Sequence, residues 1–362
     1  RGLGDVYKRQ ALMNAPQIPF TPRAYLVPRT RETSARTWPT ALPDAGLWKV
    51  VGEAGAGVTS FLVDTAVAAA GRAAKNGEDA SGIVVLASSK EAAARMRAEI
   101  SDRLAASGFV SSAPLVRSVH SLAFAVLRQR YEQEIRLISG AEQDAVIREL
   151  LRGQVEDGRG NWPVELRPAM GMVGFARQLR DVLLRAVERG LDPAQLAALG
   201  KRHGVEIWSA AAEFLHEYQQ VMALTGGKRF SASELVSEVL RGEIPAQWHT
   251  VIVDDAQHLA PAPAAFIRRL LECAELGVVG GDEAQSIYHF RGASPRFFRD
   301  LGGLAHDVID LGESRRQPRR TVAIAQDEAT QLSAVCDALR RAHLEEDVAY
   351  RDMACLLYTS PS

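Results

Sequence analysis

The sequence predicts an α/β fold: a parallel sheet with helices on both faces, interrupted by an all-helical insertion. Three observations carry this reading. Short continuous Val/Ile/Leu runs alternate with Ala-rich stretches of helical spacing, as expected for strands buried on both faces. Between residues 139 and 240 the alternation stops, and almost no β-branched run occurs. From His249 the runs resume, so the segments flanking the interruption are expected to build one sheet.

In order along the chain, residues 47–51 form the first strand and run into Gly52, followed by an Ala-rich helix over 61–70. Residues 83–86 are the second strand, and 90–104 place Ala, Met and Ile at helical spacing. Residues 115–119 and 122–127 give a third strand and helix. The insertion reads as five helices, over 141–151, 169–189, 193–199, 205–224 and 232–240. Strands return at 250–253, 276–279 and 308–309. Residues 13–46, with several prolines and scattered Arg, read as an irregular lead-in. Residues 1–12 and 355–362 match no neighbouring pattern; both are expected to be foreign to the native chain, with Met13 as its start.

Composition bounds the function. The 362 residues carry 43 Lys plus Arg against 44 Asp plus Glu, so any affinity for nucleic acid must come from local sites. A chain this long and 47% hydrophobic can bury a large core and form two or three domains. Cys273, Cys336 and Cys355 are far apart, which fits a reducing compartment and offers no disulfide or zinc framework. The eight His are scattered and suggest no metal cluster. No apolar run approaches the ~18 residues needed to span a bilayer, so no membrane partner is expected and the location is read as cytoplasmic.

Three strings carry chemistry. Gly52-Glu53-Ala54-Gly55-Ala56-Gly57-Val58-Thr59 lies between a strand and a helix, where a phosphate-binding loop belongs. Glycines let backbone N–H groups face a phosphate, the helix N-terminus adds its positive end, and the Thr59 hydroxyl can ligate Mg²⁺. The usual lysine is replaced by Val58, which carries no charge to the phosphates. Alone, this string is equally a glycine-rich strand–helix turn. The second string, Asp254-Asp255-Ala256-Gln257-His258, puts two carboxylates at the C-terminal end of a buried strand, where open α/β sheets bind ligands. Asp254 is expected to hold Mg²⁺, and Asp255 stands where a carboxylate orients the attacking water. The third, residues 282–293, sets Gln285, Tyr288, Phe290 and Arg291 after another strand: a glutamine that can sense a γ-phosphate and a ring that can stack an unpaired base.

These strings, in this order, resemble the UvrD/Rep/PcrA group of superfamily 1 DNA helicases. Residues 84–97 look like that family's motif Ia, 118–121 like Ib, 251–258 like II, and 311–316 like IV. Residues 282–293 are close to its motif III and make the most specific match, while 350–354 resemble a later strand of its second motor domain. Residues 137–144 and an Arg-rich bias lean toward actinobacterial members, including the paired-motor helicase–nucleases. The resemblance implies a RecA-like P-loop NTPase sheet (domain 1A, residues 47–138 and 246–312), an inserted helical domain (1B, 139–245) and the opening of domain 2A (313–354). It implies ATP and Mg²⁺ as cofactors and single-stranded or tailed duplex DNA as partner, with a second helicase or nuclease subunit as a further candidate. It also implies 3′ to 5′ movement. Gly52, Gly55, Gly57, Val58, Thr59 and Ser60 would bind nucleotide, and Asp254, Asp255, Gln285 and Arg316 would act in hydrolysis. His120, Ser121, Tyr288, Phe290 and Arg291 would face DNA. Arg316 would contact phosphate across the cleft, or else pair with Glu313.

The chain departs from the family pattern with Val58 for Lys, Asp255 for Glu, His258 for Asp, and Ser88 and Arg315 for aromatics, and three of these departures touch the ATP site. The adenine-reading Gln segment is not evident before the P-loop. Two functions follow: an ATP-driven helicase or translocase with a degenerate site, or a non-hydrolysing DNA-binding subunit that supports a partner motor. A GTPase is disfavoured, since nothing reads as a guanine-specifying loop.

Overall fold

The computed structural model describes residues 36–108, 115–224, 228–301, 307–314 and 327–353. The chain divides into two compact units, residues 1–39 and 40–362, and the second carries everything that follows. The expectations for residues 1–12 and 355–362, for the lead-in before residue 36, and for Arg315 and Arg316 lie outside the described residues.

Eight strands are described: β1 (Gly46–Val51), β2 (Ile83–Ala87), β3 (Val116–Ser118), β4 (Ile135–Leu137), β5 (Lys228–Phe230), β6 (Thr250–Val253), β7 (Leu276–Gly281) and β8 (Asp307–Asp310). Six form one parallel sheet in the order β3-β2-β6-β7-β1-β8, so strands from before and after the helical stretch do share a sheet. β2, β6 and β7 are buried along their whole length, which is why their sequences read as unbroken apolar runs rather than alternating ones.

The helices α1 (Val58–Lys75) and α2 (Lys90–Ala106) follow β1 and β2. Next come α3 (Val119–Arg130), α4 (Gly140–Glu156), α5 (Val173–Glu188), α6 (Pro193–His203), α7 (Glu206–Leu224) and α8 (Ala232–Leu240). α9 (Pro261–Glu272), α10 (Arg296–Asp300) and α11 (Glu328–Glu345) complete the set. One core joins Val84, Leu86, Val251 and Val253 of the sheet to Leu122 and Val126 of α3, Phe266 and Ile267 of α9, and Phe298 of α10. A second core lies within the helical stretch, where Ile147, Leu151, Leu179, Leu183, Phe214 and Tyr218 pack around Trp162. Its Trp162 donates to Gln154 at 2.8 Å and meets Phe214 edge-on at 6.1 Å, so the one polar atom of a buried indole is satisfied. α8, the last of the five helices expected in the insertion, differs from the others: its Leu235, Val236 and Val239 enter the sheet-side core.

Some elements differ from expectation. The helix expected over 169–189 starts later, at Val173, as α5; Ala169 instead closes a 3₁₀ turn, Val164–Ala169, that contains Pro168. Residues 350–354 were expected to resemble a strand; Tyr350–Asp352 instead forms a 3₁₀ turn, its Tyr350 ring stacked 4.1 Å from His343 of α11. The β4–β5 pair and helices α9, α10 and α11 have no counterpart in the sequence reading.

Candidate nucleotide and DNA site

The phosphate-binding loop is built where β1 ends. Leu311 N donates to Val51 O at 2.9 Å, and Glu53 N donates to Gly312 O at 3.1 Å, so the loop is fastened to the chain leaving β8. The loop closes on itself through Ala56 N to Glu53 O at 2.8 Å. Gly57, at φ 102°, is the N-cap of α1, a backbone conformation that disfavours a Cβ, and no side chain caps this helix. With no acidic residue in its first turn, α1 presents an N-terminus suited to an anion. Ser60 lies half-buried in that first turn.

Val58 does not point into open space. A Cβ placed on Gly280 of β7 would fall 2.7 Å from Val58 Cγ1, and one on Gly52 would fall 3.3 Å from Val58 Cγ2. The valine therefore packs down onto the sheet through two glycines. The buried lysine of β1 does not take over the lost charge: Lys49 lies over the Phe298 ring at 4.4 Å and 4.0 Å from Glu283.

The structure brings Thr59 to Asp254. The Thr59 hydroxyl donates to both carboxylate oxygens, at 3.0 and 3.2 Å, across 195 residues of sequence. Asp254 is 4% exposed at the end of β6. Burial first, then the neighbouring Asp255 charge, pushes its carboxyl up to about 7, while the Thr59 hydrogen bond pulls the other way. A buried carboxylate beside a hydroxyl is a hard-oxygen donor set of the kind Mg²⁺ takes, so these residues fit that ion.

Asp255 occupies the left-handed region at φ 55°, ψ 41°, which turns its side chain away from the run of β6. There it accepts from the Ser88 hydroxyl at 3.1 Å and from Gln257 Nε2 at 3.3 Å. Gln257, 1% exposed, was not singled out in the sequence, although it ties two of the strings together. Its Oε1 accepts from Asp282 N at 3.2 Å, and its backbone carbonyl accepts from the Ser286 hydroxyl at 3.3 Å. Gln285 is exposed and donates to Asp282 at 2.9 Å.

The aromatic string forms a short turn after β7. His258 meets Tyr288 at 4.7 Å, and Tyr288 meets Phe290 at 6.2 Å. The Arg291 guanidinium lies 5.3 Å from the Tyr288 ring centre and 5.4 Å from that of Phe290. Phe290 is 71% exposed, so its ring is open to a stacking partner. Burial holds the His258 imidazole below its ordinary value, with the Asp255 charge opposing, and among the described residues its buried Nδ1 has no hydrogen-bond partner. His120 and Ser121 are exposed in the first turn of α3, where Ser121 N donates to the capping Ser118 hydroxyl at 3.3 Å.

No helix among the described residues is long and apolar enough to cross a membrane. The family model for the UvrD/REP helicase N-terminal domain matches residues 36–303. No curated protein gives a significant match. The matched span takes in the phosphate loop, the acidic end of β6 and the aromatic turn, and on that ground the chain belongs to the UvrD/Rep family of helicases.

Proposed function

We propose that the chain is part of a UvrD-like motor that binds Mg·ATP and single-stranded or tailed duplex DNA, in repair or recombination, and hydrolyses ATP poorly by itself. The observation that carries this is the Thr59–Asp254 pair, which supports Mg²⁺ binding, beside a loop in which Val58 is packed onto the sheet. Bound Mg²⁺ would supply charge to the phosphates. The chain's own residues supply the rest: the α1 N-terminus and loop amides hold the phosphates, and Thr59 and Asp254 hold the ion. Val58 offers no cation, which costs ~1.5–3 kcal/mol on general hydrogen-bond values. Asp255 is a methylene shorter than glutamate and is engaged by Ser88 and Gln257. A ~1 Å misplacement of such a group can lower a rate by ~10²-fold. Both losses fall mainly on the transition state, so binding survives better than turnover. The exposed Phe290, backed by Tyr288 and Arg291, supports base stacking at ~1–3 kcal/mol per base.

A second reading is a non-hydrolysing subunit that supports a partner motor or nuclease. It is favoured by the way Val58 and Asp255 are each accommodated by neighbours, Gly280 and Ser88. The test is ATP turnover by the purified protein with saturating single-stranded DNA. Nucleotide should bind while turnover stays slow, and Val58→Lys with Asp255→Glu should raise the rate more than either change alone. DNA-stimulated turnover in the unmutated protein within ~1–10³ s⁻¹ would overturn the impaired-site reading.

A further inference from the structure

The aromatic turn is held from outside the sheet. Arg185, near the C-terminal end of α5 in the helical stretch, donates through Nη1 to the backbone carbonyl of Arg291. The same Nη1 lies 2.5 Å from Glu188, one turn on, which in turn accepts from the Ser233 hydroxyl of α8 at 3.0 Å. Ser233 is 6% exposed, so the far end of this chain of bonds is anchored in packed structure. A Cβ placed on Gly292 would lie 3.4 Å from Glu188 Oε2 and 3.5 Å from Arg185 Nη1, so the turn sits directly against the pair.

From this we infer that Arg185 is a positioning residue for single-strand binding: it fixes the 288–292 turn from the helical stretch and so sets the pose of the Phe290 ring. The inference rests on the stacking reading given above. A guanidinium bonded to one carbonyl and one carboxylate holds the backbone of a short turn at a defined point. The Arg291 side chain, whose carbonyl is the one held, covers both rings of the platform. Loss of the Arg185 bond would leave the rings present but free to turn.

The experiment uses the full chain and an oligothymidine strand carrying one 2-aminopurine, read by anisotropy for affinity and by fluorescence quenching for stacking at saturation. Phe290→Ala should weaken binding by about 5–150-fold, the range corresponding to one stacked base. Arg185→Gln should weaken it by about fivefold, lessen the quench at saturation, leave the salt dependence unchanged, and add little further loss in the Phe290→Ala background. Arg185→Lys should recover only part of the quench, since its ammonium can still donate to both acceptors but from a flexible stem without the rigid guanidinium plane. Glu188→Gln perturbs the same bond from the other side and gives the answer should Arg185→Gln fail to fold. If Phe290→Ala changes nothing, the stacking reading falls and the inference with it. If Phe290→Ala weakens binding but Arg185→Gln leaves the quench intact, the inference alone is overturned. A salt slope reduced by about 0.7 would make Arg185 a phosphate contact instead.

Discussion

Val58 and Gly280 form a matched pair. A methyl added at Gly280 would fall 2.7 Å from Val58 Cγ1 and 2.8 Å from Leu62 Cδ1, closer than packed carbons approach. Gly280→Ala should therefore destabilise the protein by about 1–3 kcal/mol, the usual cost of overpacking a close-packed site. Adding Val58→Ala should return part of that loss, because it vacates the space the methyl needs. Urea unfolding of the two single variants and the double variant measures this coupling. A lysine at position 58 would have to leave the same crevice for its ammonium to reach phosphate, so Val58→Lys should tolerate Gly280→Ala better than the native valine does.

Among the elements, three helices begin with reciprocal caps: Ser139 with Glu142, Asp192 with Gln195, and Ser231 with Glu234. Ser231 is 3% exposed and starts α8, whose apolar face enters the sheet-side core, whereas Ser139 starts its helix at the surface. Ser231→Ala should thus cost about 1–2 kcal/mol and Ser139→Ala less, as measured by the two variants' thermal midpoints. β2, β6 and β7 were legible because burial on both faces writes itself as an apolar run, whereas β8, exposed at three of its four residues, showed only as Val308-Ile309. β4 and β5 were not, since Ile135-Arg136-Leu137 and Lys228-Arg229-Phe230 are three-residue, half-charged segments whose parallel pairing spans four of the insertion's helices. α9 was hidden by Pro261 and Pro263, which read as loop although the first sits at a helix start that accepts proline. The phosphate loop and Asp254 were legible because each is a local string at a strand end. The Ser88–Asp255 and Arg185–Arg291 bonds join residues 167 and 106 apart, and no local pattern encodes either pairing.

For the molecule as a whole, ligand binding is linked to stability. A ligand that binds only the folded state adds ~2.7 kcal/mol at a hundred times its dissociation constant. Mg²⁺ with a non-hydrolysable ATP analogue should accordingly raise the melting temperature in a dose-dependent way, and Asp254→Ala should abolish the Mg²⁺-dependent part of the shift. Differential scanning fluorimetry, with and without a chelator, checks this. Among the described residues β8 is an outer strand of the sheet, paired with β1, and the backbone leaving it is sewn to the glycine-rich loop by the Leu311–Val51 and Glu53–Gly312 bonds. Tension on the chain beyond residue 312 therefore arrives first at the glycine-rich loop, along an outer strand held by four residue pairs. Traction on that strand and any load on the glycine-rich loop are two ends of one tether, so pulling at either end must be felt at the other.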